Sequence, residues 1–387
     1  MSSKRVLSLE VFRGVAALVV LFYHFMLAFW PAWIFVLPGS PVYILFNGNA
    51  AVAFFFVLSG VVNGRPLFRD PSSTTLVRSL VRRWPRLMVP SLLASLFAWL
   101  LYALDLYYYQ AAGALSGSKW LEQFANAGQP ADFQPSLLNA VVQGAATVFV
   151  TQHSDYDPPL WTMHVELMGS VLTLLVAFVL ARLSLGRGLA VAVVAAAAVA
   201  LVPPHYGLPF MVGLGLAFLM LRAGDRVAEA LGDKGFAALL AVSLYIYSYD
   251  KPIGMHAWIP EPDSWFWMET QRILLQSLGA AGIMCVGLKW SRLAITGRWA
   301  EWMGQMALPV FLVHAPIYCS LASWVLLKAE PVYGMPTAAG LALAAGVAGT
   351  LPVAWVFARI DAAWAPLVNR AADWVMSRFW RPAEEAA

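Results

Sequence analysis

Charged side chains are scarce in this sequence. Asp, Glu, Lys and Arg make up 12% of its 387 residues, against roughly 25% in soluble domains. This scarcity excludes an ordinary soluble protein, and several apolar runs reach the roughly 20 residues that cross a bilayer. The net charge of +4 does not indicate nucleic-acid binding, because the basic residues lie in short segments between apolar runs, where membrane topology explains them.

Motifs for several common chemistries are also missing. The sequence has two cysteines, Cys285 and Cys319, and both lie in apolar runs, so we expect buried thiols rather than a disulfide. It has no GxxxxGK[ST] phosphate loop and no G-x-S-x-G elbow around Ser59. No His/Cys cluster has the spacing of a metal site. We therefore expect no nucleotide-binding loop, serine nucleophile or metal centre.

Apolar runs dominate the sequence instead. The predicted fold class is all-α, a polytopic integral membrane protein of about ten transmembrane helices with both termini cytoplasmic. Residues 1–360 are predicted to form one transmembrane domain, and residues 361–387 a cytoplasmic amphipathic helix and tail. The ten predicted spans lie at about 8–29, 48–64, 86–106, 159–181, 188–204, 207–222, 235–250, 272–289, 304–327 and 336–358.

The distribution of basic residues sets the predicted orientation. With ten spans and a cytoplasmic N-terminus, 21 of the 25 Lys and Arg residues lie on the inner side and four on the outer side, as the positive-inside rule requires. The short apolar segment 135–150 would invert this split if it crossed the membrane. We therefore predict a re-entrant or interfacial helix within a long outer loop at about 107–158.

Two ionisable residues lie within the first apolar run, RGVAALVVLFYH at 13–24. A charge in the bilayer costs at least about 2.5–3.5 kcal/mol, so such residues are candidates for function. Arg13 lies near the inner end, and His24 lies eleven residues on, about 16 Å deeper at 1.5 Å per residue. A snorkelling arginine and a neutral histidine bonded to a neighbouring helix remain the structural alternatives.

A carboxylate is predicted at a depth similar to that of His24. Glu166 lies in PPLWTMHVELMGS, at the start of the fourth span. A carboxylate that accepts an imidazole N–H fixes the tautomer and makes the other nitrogen a better base, so we predict that Glu166 orients His24. Pairing of Glu166 with an arginine is the alternative. His164 is interpreted as a packing residue or a contact to an outer substrate, and His314 as a core histidine.

Arginines cluster where the third span leaves the inner side. VRRWPRLMVP at 81–90 contains Arg82, Arg83 and Arg86, and three more arginines precede it within 22 residues. The guanidinium group is planar and grips phosphate with two hydrogen bonds at once. The cluster therefore indicates a phosphate-bearing ligand, with positive-inside charge as the alternative for any single residue.

Five segments, in this order, resemble the acyltransferase-3 family of integral membrane acyltransferases. They contain Arg–x10–His in the first span, Arg–x2–Arg at the third and Trp–x4–Glu at the fourth. The segments are LEVFRGVAALVVLFYHF (9–25), AVAFFFVLSGVV (51–62), RRWPRLMVP (82–90), PPLWTMHVE (158–166) and MALPVFLVHAP (306–316).

The resemblance implies an enzyme that takes an acyl group, usually acetyl, from cytoplasmic acyl-CoA. It implies delivery to a hydroxyl, often of a carbohydrate beyond the membrane, with the bacterial inner membrane as the expected setting. By resemblance His24 is catalytic, while Arg13, Arg83 and Arg86 serve the CoA end. Whether His24 acts as a general base or carries the acyl group covalently stays open.

Two other functions fit parts of the pattern. Intramembrane histidines and acids also form proton relays, so a proton-coupled secondary transporter of a small polar solute is the main alternative. Against it, the sequence shows no repeated half, and the inner arginines have no mirror image outside. A non-catalytic membrane scaffold is the other alternative.

Overall fold

The computed structural model describes residues 7–34, 36–125, 133–290 and 297–380. These residues form helices and connecting turns with no strand among them, which confirms the all-α prediction. Eight of the described helices are long and apolar enough to cross a membrane. The main helices are α1 Leu7–Phe29, α2 Gly48–Arg69, α3 Ser73–Ala103, α4 Leu137–Thr151, α5 Trp161–Leu180, α6 Leu185–Ala200, α7 Gly207–Tyr247, α8 Trp265–Lys289, α9 Arg298–Tyr333 and α10 Met335–Phe379. Short helical turns in the connections are Pro31–Ile34, Pro41–Leu45, Tyr109–Ser116, Lys119–Glu122, Pro158–Leu160 and Gly254–His256.

Helix α7 contains two of the predicted spans. Its 41 residues are interrupted at Gly232, where φ is 56°, a value that favours glycine. The first half runs parallel to α8, since Cys285 contacts Met220 and Lys289 bonds Asp225. The second half runs antiparallel to α8, because Gly279 lies against Tyr247 whereas Trp290 bonds Asp233. The chain therefore reverses within α7, as two consecutive spans require.

The count of membrane-length helices differs from ten for two physical reasons. Helix α7 comprises two antiparallel spans that join at Gly232 and are counted as one helix. Helix α6 has 16 residues, about 24 Å at 1.5 Å per residue, which is short for a hydrocarbon core of about 30 Å. Each of the ten predicted spans nevertheless overlaps a described helix over most of its length.

Small residues bring α2 and α7 into close contact. A Cβ atom on Gly60 would overlap the carbonyl oxygen of Phe210, and one on Gly213 would overlap that of Val57. Glycines at such positions let two helix backbones approach closely. The FFFVLSG segment at 54–60 therefore packs against α7 through Gly60, as its small residues suggest. This contact sets which side of α2 faces away from α7.

Helix α10 continues well past its predicted end. It runs for 45 residues to Phe379, with no break at residue 360. Residues 361–379, predicted as a separate amphipathic helix, extend the last span and pack along the first half of α3, where Trp364 Nε1 donates to the Pro85 carbonyl at 2.8 Å. Division of the chain at residue 360 stays a prediction, and the tail 381–387 lies outside the described residues.

The predicted outer loop carries its own short helices. Helix α4, with 15 residues, covers about 22 Å at 1.5 Å per residue and packs against α3, where Ser95 Oγ donates to the Ala140 carbonyl at 2.8 Å. The Met255 amide donates to the Gly39 carbonyl at 2.8 Å and joins the connection before α8 to the one after α1. Both cysteines, Cys285 and Cys319, are buried free thiols, as predicted.

Candidate active site

Three cavities lie in a row through the helix bundle. The middle cavity, of about 290 Å³, shares Val52 and Phe311 with an outer cavity of about 440 Å³. It shares Arg83 and Arg86 with a third cavity of about 280 Å³ on the arginine-rich side. The cavities therefore form a chain of neighbouring spaces that begins among guanidinium groups and ends among the predicted outer loops.

A partly buried ion pair lies in the wall of the middle cavity. Arg83 on α3 faces Glu166 on α5 at 3.4 Å and donates to Ser170 Oγ at 2.5 Å. Ser170 in turn donates to Glu166 at 3.2 Å, and Asn63 Nδ2 on α2 donates to Ser170 at 3.0 Å. Charges away from water need such pairing because their desolvation costs several kcal/mol each, in order-of-magnitude terms.

Arg13 and Arg86 also line the middle cavity. Arg13, on α1, has its nearest carboxylate in Glu10 at 3.9 Å, too far for a strong hydrogen bond. Arg86 is held by Asp361 of α10, with Arg86 Nη2 at 2.7 Å from one carboxylate oxygen and Nη1 bonded to the other. All three predicted arginines thus border this cavity, each with a different degree of charge compensation.

His24 lies in the wall of the outer cavity, near the C-terminal end of α1. Its Nδ1 is 2.8 Å from Nε2 of His314 on α9, which is completely buried. The ring of Trp120 stacks on the His24 ring with 5.2 Å between centroids. Trp120 therefore packs against one face of the imidazole and helps to hold the plane of its ring.

The hydrogen bonds define the tautomers of the two histidines. His314 Nδ1 lies 3.2 Å from the Val310 carbonyl oxygen, which accepts and never donates, so Nδ1 of His314 carries a proton. In the neutral ring, Nε2 of His314 is then the acceptor, and His24 Nδ1–H donates to it. His24 Nε2 is therefore left with its lone pair, which is the form that a general base requires.

The predicted contact between Glu166 and His24 is wrong. Glu166 lines the middle cavity and bonds to Arg83 and Ser170, while His24 lines the outer cavity and bonds to His314. A guanidinium away from water requires a carboxylate more than a neutral imidazole does, so Arg83 takes Glu166. Helix rise gives depth only and does not tell which neighbour a side chain faces.

Four polar or aromatic residues of the site were not assigned to it from the sequence. His314 was interpreted as a core histidine, and its burial agrees with that, but its ring also contacts His24. Trp120 lies on the short helix Lys119–Glu122 of the loop, and nothing in the sequence marks it. Asn63 and Ser170 are polar residues inside apolar runs, and this was the available signal.

His164 serves packing in this structure. Its Nδ1 is 2.8 Å from the Phe149 carbonyl oxygen and joins α5 to α4. Within the described residues, no group of three His, Cys, Asp or Glu side chains could hold a metal ion.

The fold and the site define the class. In this polytopic helical membrane protein, guanidinium groups at one end of a row of cavities can bind an anion, and the paired imidazole at the other end can accept a proton. The chain belongs to the acyltransferase-3 family, whose model, described as an acyltransferase domain, matches residues 6–359. It is a multi-pass membrane acyltransferase.

One characterised relative and the solved structures complete the comparison. The O-acetyltransferase PaAT-1 of Phomopsis amygdali is 22% identical over 361 residues, which cover 81% of this chain and 72% of that protein. No solved structure matches the chain.

Proposed function

We propose that this acyltransferase moves an acyl group, acetyl in the simplest case, from acyl-CoA on the arginine-rich side to a hydroxyl acceptor on the opposite side. The observation that carries the proposal is the row of three cavities, with arginines at one end and the His24–His314 pair at the other. The acceptor is proposed to be a carbohydrate or a similar hydroxyl compound. We propose the bacterial inner membrane as the location, where envelope polysaccharide supplies such hydroxyls.

The arginines are the proposed contacts for the donor's phosphates. Arg13, Arg83 and Arg86 border the middle cavity, and guanidinium groups bind phosphate oxygens through two hydrogen bonds at once. The remaining wall of that cavity is largely apolar, with Val52, Phe55 and further aliphatic and aromatic side chains. Such a wall suits an uncharged pantetheine arm, which would carry the thioester towards His24, about 16 Å along α1 from Arg13.

His24 is the proposed general base. Its Nε2 takes the proton of the acceptor hydroxyl as that oxygen attacks the thioester carbonyl, and a tetrahedral intermediate forms. The C–S bond then breaks, the thiolate leaves, and the imidazolium returns its proton to the sulfur. An ester and free CoA are the products, and general-base help of this kind contributes about 10²–10⁴ in rate.

Glu166 has a different proposed role from the one that the sequence suggested. Its bond to Arg83 holds that guanidinium in place at the boundary between two cavities, so Glu166 positions the donor's anion contact rather than the base. His314 takes the orienting role instead, since its Nε2 accepts from His24. Covalent transfer through His24 remains the other mechanism, and ping-pong kinetics would identify it.

Release of free thiol tests the proposal. The purified protein, reconstituted in lipid, is given acetyl-CoA with and without a panel of sugar acceptors, and CoA is followed with a thiol reagent. His24→Asn should lower the acceptor-dependent rate by about 10²-fold or more, with CoA binding retained. The matched control is His164→Asn, which keeps an amide donor for the Phe149 carbonyl and should retain activity.

Two results would refute the proposed function. The first is a folded wild-type protein that neither binds CoA nor releases thiol while moving a solute across the membrane, which would favour the transporter. The second is His24→Asn with wild-type activity.

A further inference from the structure

The C-terminal part of α10 lies beyond the region that the family model matches. That region ends at residue 359, whereas α10 continues to Phe379. The added turns are held against α3 at several points: Asp361 bonds Arg86, Asp373 pairs with Arg78, and Trp380 Nε1 is 3.3 Å from Thr74 Oγ1. This segment is therefore a docked part of the fold rather than a free tail.

The same segment supplies one wall of the third cavity. Ala365, Val368 and Asn369 of α10 line it. The opposite wall belongs to α2, α3 and α5 and carries three guanidinium groups and a hydroxyl, its members being Val62, Asn63, Pro66, Ser79, Arg82, Arg83, Arg86 and Leu174. The cavity of about 280 Å³ thus combines strong anion-binding groups with two amide side chains and an apolar patch.

Charge compensation in this cavity is incomplete. Arg83 and Arg86 have carboxylate partners in Glu166 and Asp361. Within the described residues Arg82 has no carboxylate at ion-pair distance, and Asp373, the acidic residue that acts on it at longer range, is paired with Arg78. A ligand with phosphate groups would supply the negative charge that Arg82 lacks. The polar part of that ligand could bond Asn369, and its apolar part could contact Val368 on the α10 wall.

We propose that residues 361–369 of α10 form part of the binding site for the phosphorylated adenosine end of the donor. This inference rests on the proposed function, since it names the place of one end of acyl-CoA. Arg82 joins Arg83 and Arg86 in binding the phosphates, Asn369 hydrogen-bonds the nucleoside, and Asp361 holds Arg86 until the donor's phosphate takes its place. The nucleotide end then lies in the third cavity, and the arm passes Arg83 into the middle cavity.

Replacement of either of two alanines on α10 by tryptophan tests this placement. Ala365 lines the cavity, whereas Ala371, six residues on, is exposed. Ala365→Trp should fill the cavity and raise the KM for acetyl-CoA about tenfold or more, with little change in kcat. Ala371→Trp is the matched control and should leave both constants as in the wild type.

A truncated donor separates the nucleotide site from the reaction site. Acetyl-pantetheine lacks the adenosine and its phosphates, so Ala365→Trp should leave the rate with this donor unchanged. Binding of adenosine 3′,5′-bisphosphate, measured by calorimetry, should be lost in Ala365→Trp and retained in Ala371→Trp. Asn369→Ala is a milder second variant and should weaken that binding about two- to tenfold, as the loss of one hydrogen bond does.

The outcomes distinguish the two proposals. If the wild type uses both donors and Ala365→Trp behaves like the control, or impairs both donors equally, the placement of the nucleotide on α10 is overturned while the acyltransfer proposal stands. If the wild type uses neither donor, the proposed function fails. Binding of adenosine 3′,5′-bisphosphate that depends on Ala365 and Asn369 would even then support a nucleotide site at this wall.

Discussion

The bond between His24 and His314 leads to a quantitative prediction for His314→Leu. The substitution removes His314 Nε2, which lies 2.8 Å from His24 Nδ1 and accepts a hydrogen bond from it. His24 becomes cationic in the proposed transition state, and a hydrogen bond to a charged group contributes about 1.5–3 kcal/mol. At 1.36 kcal/mol per factor of ten, kcat should fall roughly 10- to 160-fold.

The assay is steady-state thiol release with a saturating acceptor, with His24→Asn measured in parallel. His314→Gln should recover part of the lost rate, because its side-chain oxygen can accept from His24 near the position of Nε2. The KM for acetyl-CoA should stay near the wild-type value, since His314 borders neither cavity that contains the arginines.

Two results would refute this reasoning. A folded His314→Leu protein with wild-type kcat would show that the orientation of His24 does not depend on His314. A loss as large as that of His24→Asn, with no recovery in His314→Gln, would place His314 among the reacting groups rather than behind one of them.

Two further predictions concern stability. Glu166→Gln leaves the partly buried Arg83 guanidinium without its carboxylate, so the free energy of unfolding in detergent should fall by about 1.5–3 kcal/mol, the contribution of a hydrogen bond to a charged group. The double variant Arg83→Met with Glu166→Leu should recover most of this loss. Wild-type stability of Glu166→Gln would contradict the pairing. Asp157 is completely buried, and within the described residues neither of its carboxylate oxygens accepts a hydrogen bond. This desolvation raises the pKa of its carboxyl well above the usual value. A raised folded-state pKa means that wild-type stability falls as pH rises from the unfolded value through the folded one; Asp157→Asn should therefore have the higher Tm, by a margin that grows with pH, and a pH-independent margin would count against a buried carboxyl.

The sequence was a good guide where a single helix carries the information. The placement of Arg13 near one end of α1 and of His24 near the other follows from their spacing and the helix rise alone. The structure accordingly places the two residues at different cavities of the same row. Apolar run length likewise gave the helices, because a bilayer imposes a minimum span whatever the neighbours are.

Contacts between helices were harder to predict. Glu166 was assigned to His24 because both had similar depths, yet rotation about the helix axis decides the partner, and Glu166 faces Arg83. Trp120 reaches His24 from a loop, and the course of a loop is not encoded in its periodicity. The docking of α10 on α3 depends on pairs far apart in sequence, such as Arg86 and Asp361, which are 275 residues apart.

The compensation of charge explains why this bundle tolerates so many arginines near its interior. Each unpaired guanidinium away from water is costly, and Arg83 and Arg86 avoid that cost through Glu166 and Asp361. Complete pairing would leave no attraction for an anionic donor. Arg82 lacks a partner within the described residues, and Arg13 has its nearest carboxylate at 3.9 Å. Most of these charges are therefore paired, as folding requires, while the guanidinium groups of Arg82 and Arg13 stay available for the phosphates of the proposed donor.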